Sequence, residues 1–215
     1  MQTQPFRDRA EAGRLLAQRL KSYAHRPDVI VLGLPRGGVP VAYEIAQALA
    51  VPLDVYLVRK LGVPNQPELA MGAIAHSGNR YLNLAIMRQC RISADDLARV
   101  TRREWQELER RDLAYRQGRP PPDLTHKVVI VVDDGLATGA TMFAALAALR
   151  QEPIQRLIVA IPVAPASSLQ SLRTRADEVV CLMTPESFQS VGEWYIDFSQ
   201  TSDVQVRSLL AAANP

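Results

Sequence analysis

The sequence predicts an α/β fold: a doubly wound, mainly parallel sheet of about five strands, with a small hood and a helical insertion. Three observations predict it. Five short apolar runs, VIVLGL (29–34), LDVYLV (53–58), VVIVV (128–132), RLIVAIPV (156–163) and EVVCL (178–182), are near-continuous rather than alternating. Such runs mark strands covered on both faces. Helical segments separate several of them, which implies parallel strands joined by right-handed crossovers. The chain has 215 residues, 47% hydrophobic and 22% charged, enough to bury one sizeable core.

The elements follow in order. Arg7 to Tyr23 reads as an amphipathic helix with Leu15, Leu16 and Leu20 on one face, ended by Pro27-Asp28. The first strand leads through PRGG (35–38) into a helix, VPVAYEIAQALA (39–50), and the second strand ends in Arg59-Lys60. Residues 61–92 carry Gly, Pro and Asn, with short β-like pieces at MGAIA and RYLNL. Ser93 to Tyr115 reads as a long helix, with Ser93 as N-cap and Asp95 and Asp96 in the first turn. It stops near Gly118 and the stiff PPP spacer at 120–122. The third strand, the helix at 141–150, the fourth strand, a helix at 165–175 and the last strand restore the alternation. The expected organisation is a single domain over 1–215, with 61–122 as a lid or insertion and 183–203 as a hood.

Charge and cysteine usage narrow the function classes. Net charge is +3 and the pI about 9.1. That balance is too mild to argue for nucleic acid, yet it suits a protein that handles small polyanions. Cys90 and Cys181 lie far apart without CxxC spacing, so neither a disulfide framework nor a zinc site is expected. The start, MQTQPFRDRAEAGRLL, lacks the apolar core of a signal peptide, and no apolar run is long enough to span a bilayer. These features imply a cytoplasmic protein with no membrane partner.

The stretch VVIVVDDGLATGATM (128–142) carries the most chemistry. It sets Asp133 and Asp134 at the carboxyl end of a buried strand, where open α/β sheets bind ligands. The following turn has two glycines and little bulk, so its amides can close around a phosphate at a helix N-terminus. Carboxylates repel phosphate, so the ligand must also offer donors. A sugar phosphate does, through a diol that donates to the acids. Fixed carboxylates also lower the barrier to a reaction in which the sugar ring gains positive charge.

This stretch resembles, position for position, the PRPP-binding signature of the type I phosphoribosyltransferases: a hydrophobic strand, DD, two residues, ATG, one residue, T. The resemblance implies a type I phosphoribosyltransferase-like fold and a substrate, 5-phosphoribosyl 1-pyrophosphate (PRPP). It implies transfer of the phosphoribosyl group to a small nitrogen-base acceptor with Mg²⁺ and release of pyrophosphate. Asp133 and Asp134 would contact the ribose hydroxyls and offset charge at C1. Ala137, Thr138, Gly139, Ala140 and Thr141 would hold the 5-phosphate. Arg36, Gly37 and Gly38, in the loop after the first strand, would bind pyrophosphate, with Arg59 and Lys60 stabilising it as it leaves. Mg²⁺ would bridge substrate oxygens with no direct protein ligand. The hood would choose the acceptor, with Phe188, Trp194, Tyr195 and Phe198 as candidates for stacking on a flat base. The lid segment LGVPNQPELAMG departs from the family pattern, since it has no Ser-Tyr pair. The whole chain resembles stand-alone bacterial phosphoribosyltransferase-domain proteins.

Two further readings stand beside it. A non-catalytic PRPP or nucleotide sensor needs the same pocket without turnover; a dinucleotide-binding oxidoreductase is disfavoured, since GxGxxG is absent. The 93–116 segment carries Arg99, Arg102, Arg103, Arg110, Arg111 and Arg116, with Glu104, Glu107, Glu109 and Asp112 threaded among them. It reads as a salt-bridged, solvated helix. The alternatives are a helix that packs on a second subunit in a homodimer, or one that closes over pyrophosphate, with Trp105, Leu108 and Tyr115 as anchors. His25, His76 and His126 show no ligand spacing.

Overall fold

All five apolar runs contribute to one parallel sheet. The structure is a computed structural model describing residues 4–213. The strands are β1 (Val29–Gly33), β2 (Leu53–Val55), β6 (Val128–Val132), β7 (Arg156–Val163) and β8 (Glu178–Met183), in spatial order β2-β1-β6-β7-β8. The helices α1 (Arg9–Arg19), α2 (Gly38–Leu49), α5 (Ala140–Leu149) and α6 (Ala166–Arg173) flank it. Along β1, Val29 and Val31 join a core with Leu16, Leu20, Val41 and Ile45 of the α1/α2 layer. Ile30 and Leu32, facing the other way, join Met142, Leu146 and Leu172 of the α5/α6 layer. Both pleats are therefore buried, which is why these strands show no polar alternation.

The sheet order reverses between β1 and β6, which pair in register from Val29↔Val128 to Gly33↔Val132. The loops that leave these two strands therefore emerge side by side at one edge, the position where such sheets bind ligands.

The second apolar run is shorter than expected. Only Leu53–Val55 joins the parallel sheet. The Tyr56 amide donates to the Gly33 carbonyl at 3.1 Å, completing the pairing with β1. The chain then starts a separate antiparallel sheet of β3 (Val58–Val63), β4 (Gln66–Ala75) and β5 (Arg80–Leu82). Arg59 and Lys60 thus lie inside β3 rather than at the end of a parallel strand. Composition does not mark the break, because the residues on both sides of it are apolar.

After the short helix α3 (Leu84–Gln89) comes α4 (Ala94–Arg116), which Ser93 caps by accepting from the Asp96 amide at 3.0 Å. Val100, Leu108 and Tyr115 are buried in the chain's own core, and Trp105 stacks on His76 with ring centroids 5.9 Å apart. These anchors pack within the chain. Its outer arginines pair along the helix, as in Arg111 to Glu107 at 2.7 Å and Arg110 to Glu107 at 2.8 Å. A final helix, α7 (Asp203–Ala213), lies outside the sequence-based expectations; it buries Val206 and Leu210. Among the described residues no helix is long and apolar enough to cross a membrane.

Candidate functional site

Asp133 and Asp134 follow β6 at the ligand-binding edge. The Asp133 carboxylate accepts from the Asp134 amide at 2.9 Å. Burial, and the adjacent Asp134 carboxylate, push Asp133 well above the usual carboxylate range. Asp134 Oδ2 accepts from Arg9 Nε at 2.8 Å, and Arg9 Nη2 lies at the same distance. Its backbone carbonyl accepts from the Tyr195 hydroxyl at 2.5 Å.

The turn after the acids forms a concavity of 240 Å³, lined by Asp133, residues 135–142 and Val191. Gly139 caps α5 with φ +73, where a Cβ would meet Phe143 at 2.7 Å. Glycine is required there by both torsion and space. Among the described residues, the amides of Ala137, Thr138 and Gly139 make no hydrogen bond to protein. The first-turn amides of α5, from Ala140 and Thr141 onward, also lack intrahelical acceptors. The residues that carry these donors line the concavity at the positive end of the helix, a place suited to a phosphate.

Gly37 and Gly38 serve close packing more directly than ligand approach. A Cβ on Gly37 would stand 2.0 Å from Asp134 Oδ2, and one on Gly38 would stand 2.5 Å from the Val132 carbonyl. The glycines thus let the loop press against the carboxylates after β6. The Gly38 amide donates to the Leu34 carbonyl at 3.0 Å and is already used. The Pro35–Arg36 peptide is cis. The Arg36 guanidinium is 38% exposed and lies 3.8 Å from Asp203 Oδ1, which also accepts from the Tyr115 hydroxyl at 2.8 Å. Arg36 thus makes a long ion pair at this edge and remains partly open to solvent.

Beside these loops a cleft of 380 Å³ opens, lined by Pro35, Ala140 and Thr141, by Arg59 and Lys60 of β3, and by Arg103, Glu104 and Arg111 of α4. The sequence-predicted basic pair is therefore brought to the N-terminus of α5, with residues of α4 lining the same cleft. Arg59 is committed: its Nε and Nη2 lie 2.8 and 2.7 Å from Glu104 Oε2.

The hood holds itself together. Phe6 forms a parallel bridge to Tyr195. Tyr195 is 6% exposed, with Phe6 at 5.5 Å and Phe198 at 5.1 Å between centroids. Its ring, one of the expected faces for a base, is covered, and its hydroxyl donates to the Asp134 carbonyl. Phe198 is covered in turn by Arg9, whose guanidinium carbon stands 4.0 Å over the ring. Phe188 and Trp194 are partly buried against the same small core, and the Trp194 indole N–H is buried without a partner.

Two side chains stand at the site that sequence reasoning does not place there. Arg9 sits on α1, 125 residues from its partner Asp134. Glu104 reads as part of a solvated helix face, yet it is 6% exposed. A weak signal for Glu104 exists: it shares the i, i+4 stripe of Val100 and Leu108. No local pattern marks Arg9.

Comparison with known proteins accords with this geometry. The family model described as phosphoribosyl transferase domain matches residues 7–196. Two Mycobacterium tuberculosis proteins, named "Putative phosphoribosyl transferase MT0597" (strain CDC 1551 / Oshkosh) and "Putative phosphoribosyl transferase Rv0571c" (strain ATCC 25618 / H37Rv), are each 47% identical over 209 residues. The alignments cover 97% of this chain and 47% of those proteins, so the chain spans about half the length of the curated relatives it matches. The crystal structure of TT1426 from Thermus thermophilus is similar with a TM-score of 0.89 and 42% identity, covering 97% of this chain and 99% of that one. With the family model spanning nearly the whole fold and the signature turn at its sheet edge, this chain belongs to the phosphoribosyl transferase domain family.

Proposed function

We propose that the chain transfers the phosphoribosyl group of PRPP to a small nitrogen base. The acceptor nitrogen bonds to C1 of the ribose, the C1–oxygen bond to pyrophosphate breaks, pyrophosphate leaves with the electron pair, and the proton on the acceptor nitrogen is lost to solvent. One observation carries this reading: the two carboxylates, the amide-lined concavity and the basic cleft meet at one sheet edge, with Ala140 and Thr141 common to the concavity and the cleft. The 5-phosphate takes the amides of residues 137–141, and the ribose diol donates to Asp133 and Asp134. These acids also favour positive charge developing at C1. Arg36, Arg59 and Lys60 receive the leaving pyrophosphate.

The residues present fit Mg²⁺ as a companion of the substrate. Among the described residues no cluster of three His, Cys, Asp or Glu side chains is set to hold a metal. The hard oxygens of Asp133 and Asp134 suit magnesium through its waters, with substrate phosphates supplying other ligands. When bound, the ion neutralises charge on the leaving group.

A second reading, a non-catalytic PRPP or nucleotide sensor, draws on a specific observation. Asp134 and Arg59 are each engaged within the chain, by Arg9 and by Glu104. The test is titration of PRPP with and without Mg²⁺, followed by a screen of nucleobases for pyrophosphate release. Release is the expected outcome; binding with no release against any base selects the sensor. Asp134→Asn and Arg36→Ala should each cut turnover at least about tenfold, about 1.4 kcal/mol in barrier terms, with the fold intact. Wild-type rates in both variants remove these residues from the reaction.

A further inference from the structure

Glu104 occupies a position that an anionic ligand would take. Its Oε2 is gripped by Arg59 through Nε at 2.8 Å and Nη2 at 2.7 Å, and its Oε1 by Arg103 through Nε at 3.0 Å and Nη2 at 2.9 Å. Each carboxylate oxygen thus has its own guanidinium fork. The side chain is 8% exposed, yet it lines the 380 Å³ cleft together with Lys60 and Arg111. Four cations and one carboxylate therefore face this space. Stability of the fold alone does not call for such a cluster, since burying a carboxylate between arginines costs desolvation that the pairing only partly returns.

We propose that Glu104 is a specificity-determining residue: an internal carboxylate that must be displaced, and that sets the minimum charge a ligand needs to enter the cleft. A monoanion only exchanges one acid for another at the forks and gains little. A diphosphate offers more charge and two sets of oxygens, so it can engage both guanidinium forks and the neighbouring lysine at once. The cleft then favours pyrophosphoryl ligands over orthophosphate and over carboxylates. This rests on the PRPP reading above, because it assigns the cleft to the pyrophosphate end of that substrate.

The test measures binding, not turnover. Inorganic pyrophosphate and orthophosphate are titrated calorimetrically, at fixed Mg²⁺ and ionic strength, into the wild type and Glu104→Gln. Glutamine keeps the shape and loses the charge. The wild type should prefer pyrophosphate. The variant should bind pyrophosphate about tenfold more tightly, and orthophosphate should tighten by a larger factor, so that the preference narrows. Unchanged or weaker pyrophosphate binding overturns the proposal, as does equal tightening of both ligands. Glu104→Asp guards against a variant that fails to fold. Its carboxylate, one methylene shorter, no longer spans both forks, and pyrophosphate binding should tighten by a smaller factor. No change, or weakening, counts against displacement. The outcome is separable from the test of transfer, since a shift in pyrophosphate affinity stands even where no base is ribosylated, and turnover with unshifted affinities sinks this inference alone.

Discussion

Arg9 fixes the orientation of the Asp134 carboxylate. Its guanidinium is held at three points: Asp134 Oδ2 at 2.8 Å, the Ser199 carbonyl at 2.7 Å, and the face of Phe198 at 4.0 Å. The carboxylate it grips rests against Gly37, where even one added carbon would collide. Asp134 is thus oriented from two sides, and in the proposed transfer orientation of this kind is worth orders of magnitude in rate. Arg9→Ala should lower kcat/KM for PRPP about tenfold or more, about 1.4 kcal/mol, while the melting temperature moves little. Arg9→Lys keeps the charge and loses the fork, so it should fall between the two. Steady-state kinetics on the three proteins, with thermal melts alongside, decide this. An alanine variant as fast as wild type would mean that Asp134 needs no such support. None of this is legible locally: Arg9 is one of many arginines, and only the fold brings α1 to the end of β6.

At the scale of elements, α4 shows what the sequence reveals and what it conceals. Its start is written in Ser93 and the acids behind it, and its outer face in alternating charge, so its existence and N-terminal boundary can be read directly. Its inner stripe can be read only in part: Leu108 and Tyr115 stand out as anchors, while Glu104 and Arg116 look like members of the charged face. Arg116 is 3% exposed and binds the Asp54 carboxylate at 3.2 Å, the Val55 carbonyl at 2.7 Å, and Asp112. It ties the end of α4 to the end of β2. Arg116→Ala strands Asp54, whose carboxyl group burial already pushes above its ordinary range. The expected loss is about 3–5 kcal/mol, read as a lower urea midpoint at unchanged slope. A loss under about 1 kcal/mol would place these groups in effective contact with water. The helix α7 escapes a reading of the sequence although its signal is present. Ser202 and Gln205 form a reciprocal capping box, with Ser202 N to Gln205 at 2.8 Å and Gln205 N to Ser202 at 3.2 Å. The apolar positions Val206, Leu209, Leu210 and Ala213 follow at helical spacing. The break at Tyr56–Leu57, by contrast, has no local signal, because it is set by where β1 runs out of partners.

Across the whole molecule, the parallel sheet is legible because burial of both faces leaves continuous apolar runs. The turn at 133–141 is legible because all its parts are adjacent in sequence. The cleft is legible only in part, since Arg59 and Lys60 can be named while α4 stands beside them only as an alternative to a solvated helix. The same architecture concentrates instability at the site. Asp133 sits at the end of a fully buried strand beside a second carboxylate, and it holds its proton more tightly in the folded chain than its ordinary value of 3.8 would allow. A carboxyl group raised in this way contributes its full stability below the unfolded value and loses it as pH rises through the folded one. Above the ordinary carboxylate range the fold therefore bears the cost of holding Asp133 against its ionisation, a pattern typical of functional acids. Asp133→Asn removes the titration and keeps an oxygen to accept from the Asp134 amide. The variant should melt higher than wild type at alkaline pH, with the gap closing as pH falls toward the ordinary carboxylate range, and each kcal/mol recovered should appear as roughly 2–4 °C. Glu107, held down to about 2 by its bonds to Arg110 and Arg111, loses its contribution only in acid. It does so in both proteins, so the difference between their melting curves isolates Asp133. Phosphoribosyl transfer should fall in the same variant that gains stability. A melting difference that stays flat with pH, or an asparagine variant less stable at every pH, would show that Asp133 is not held against its ionisation.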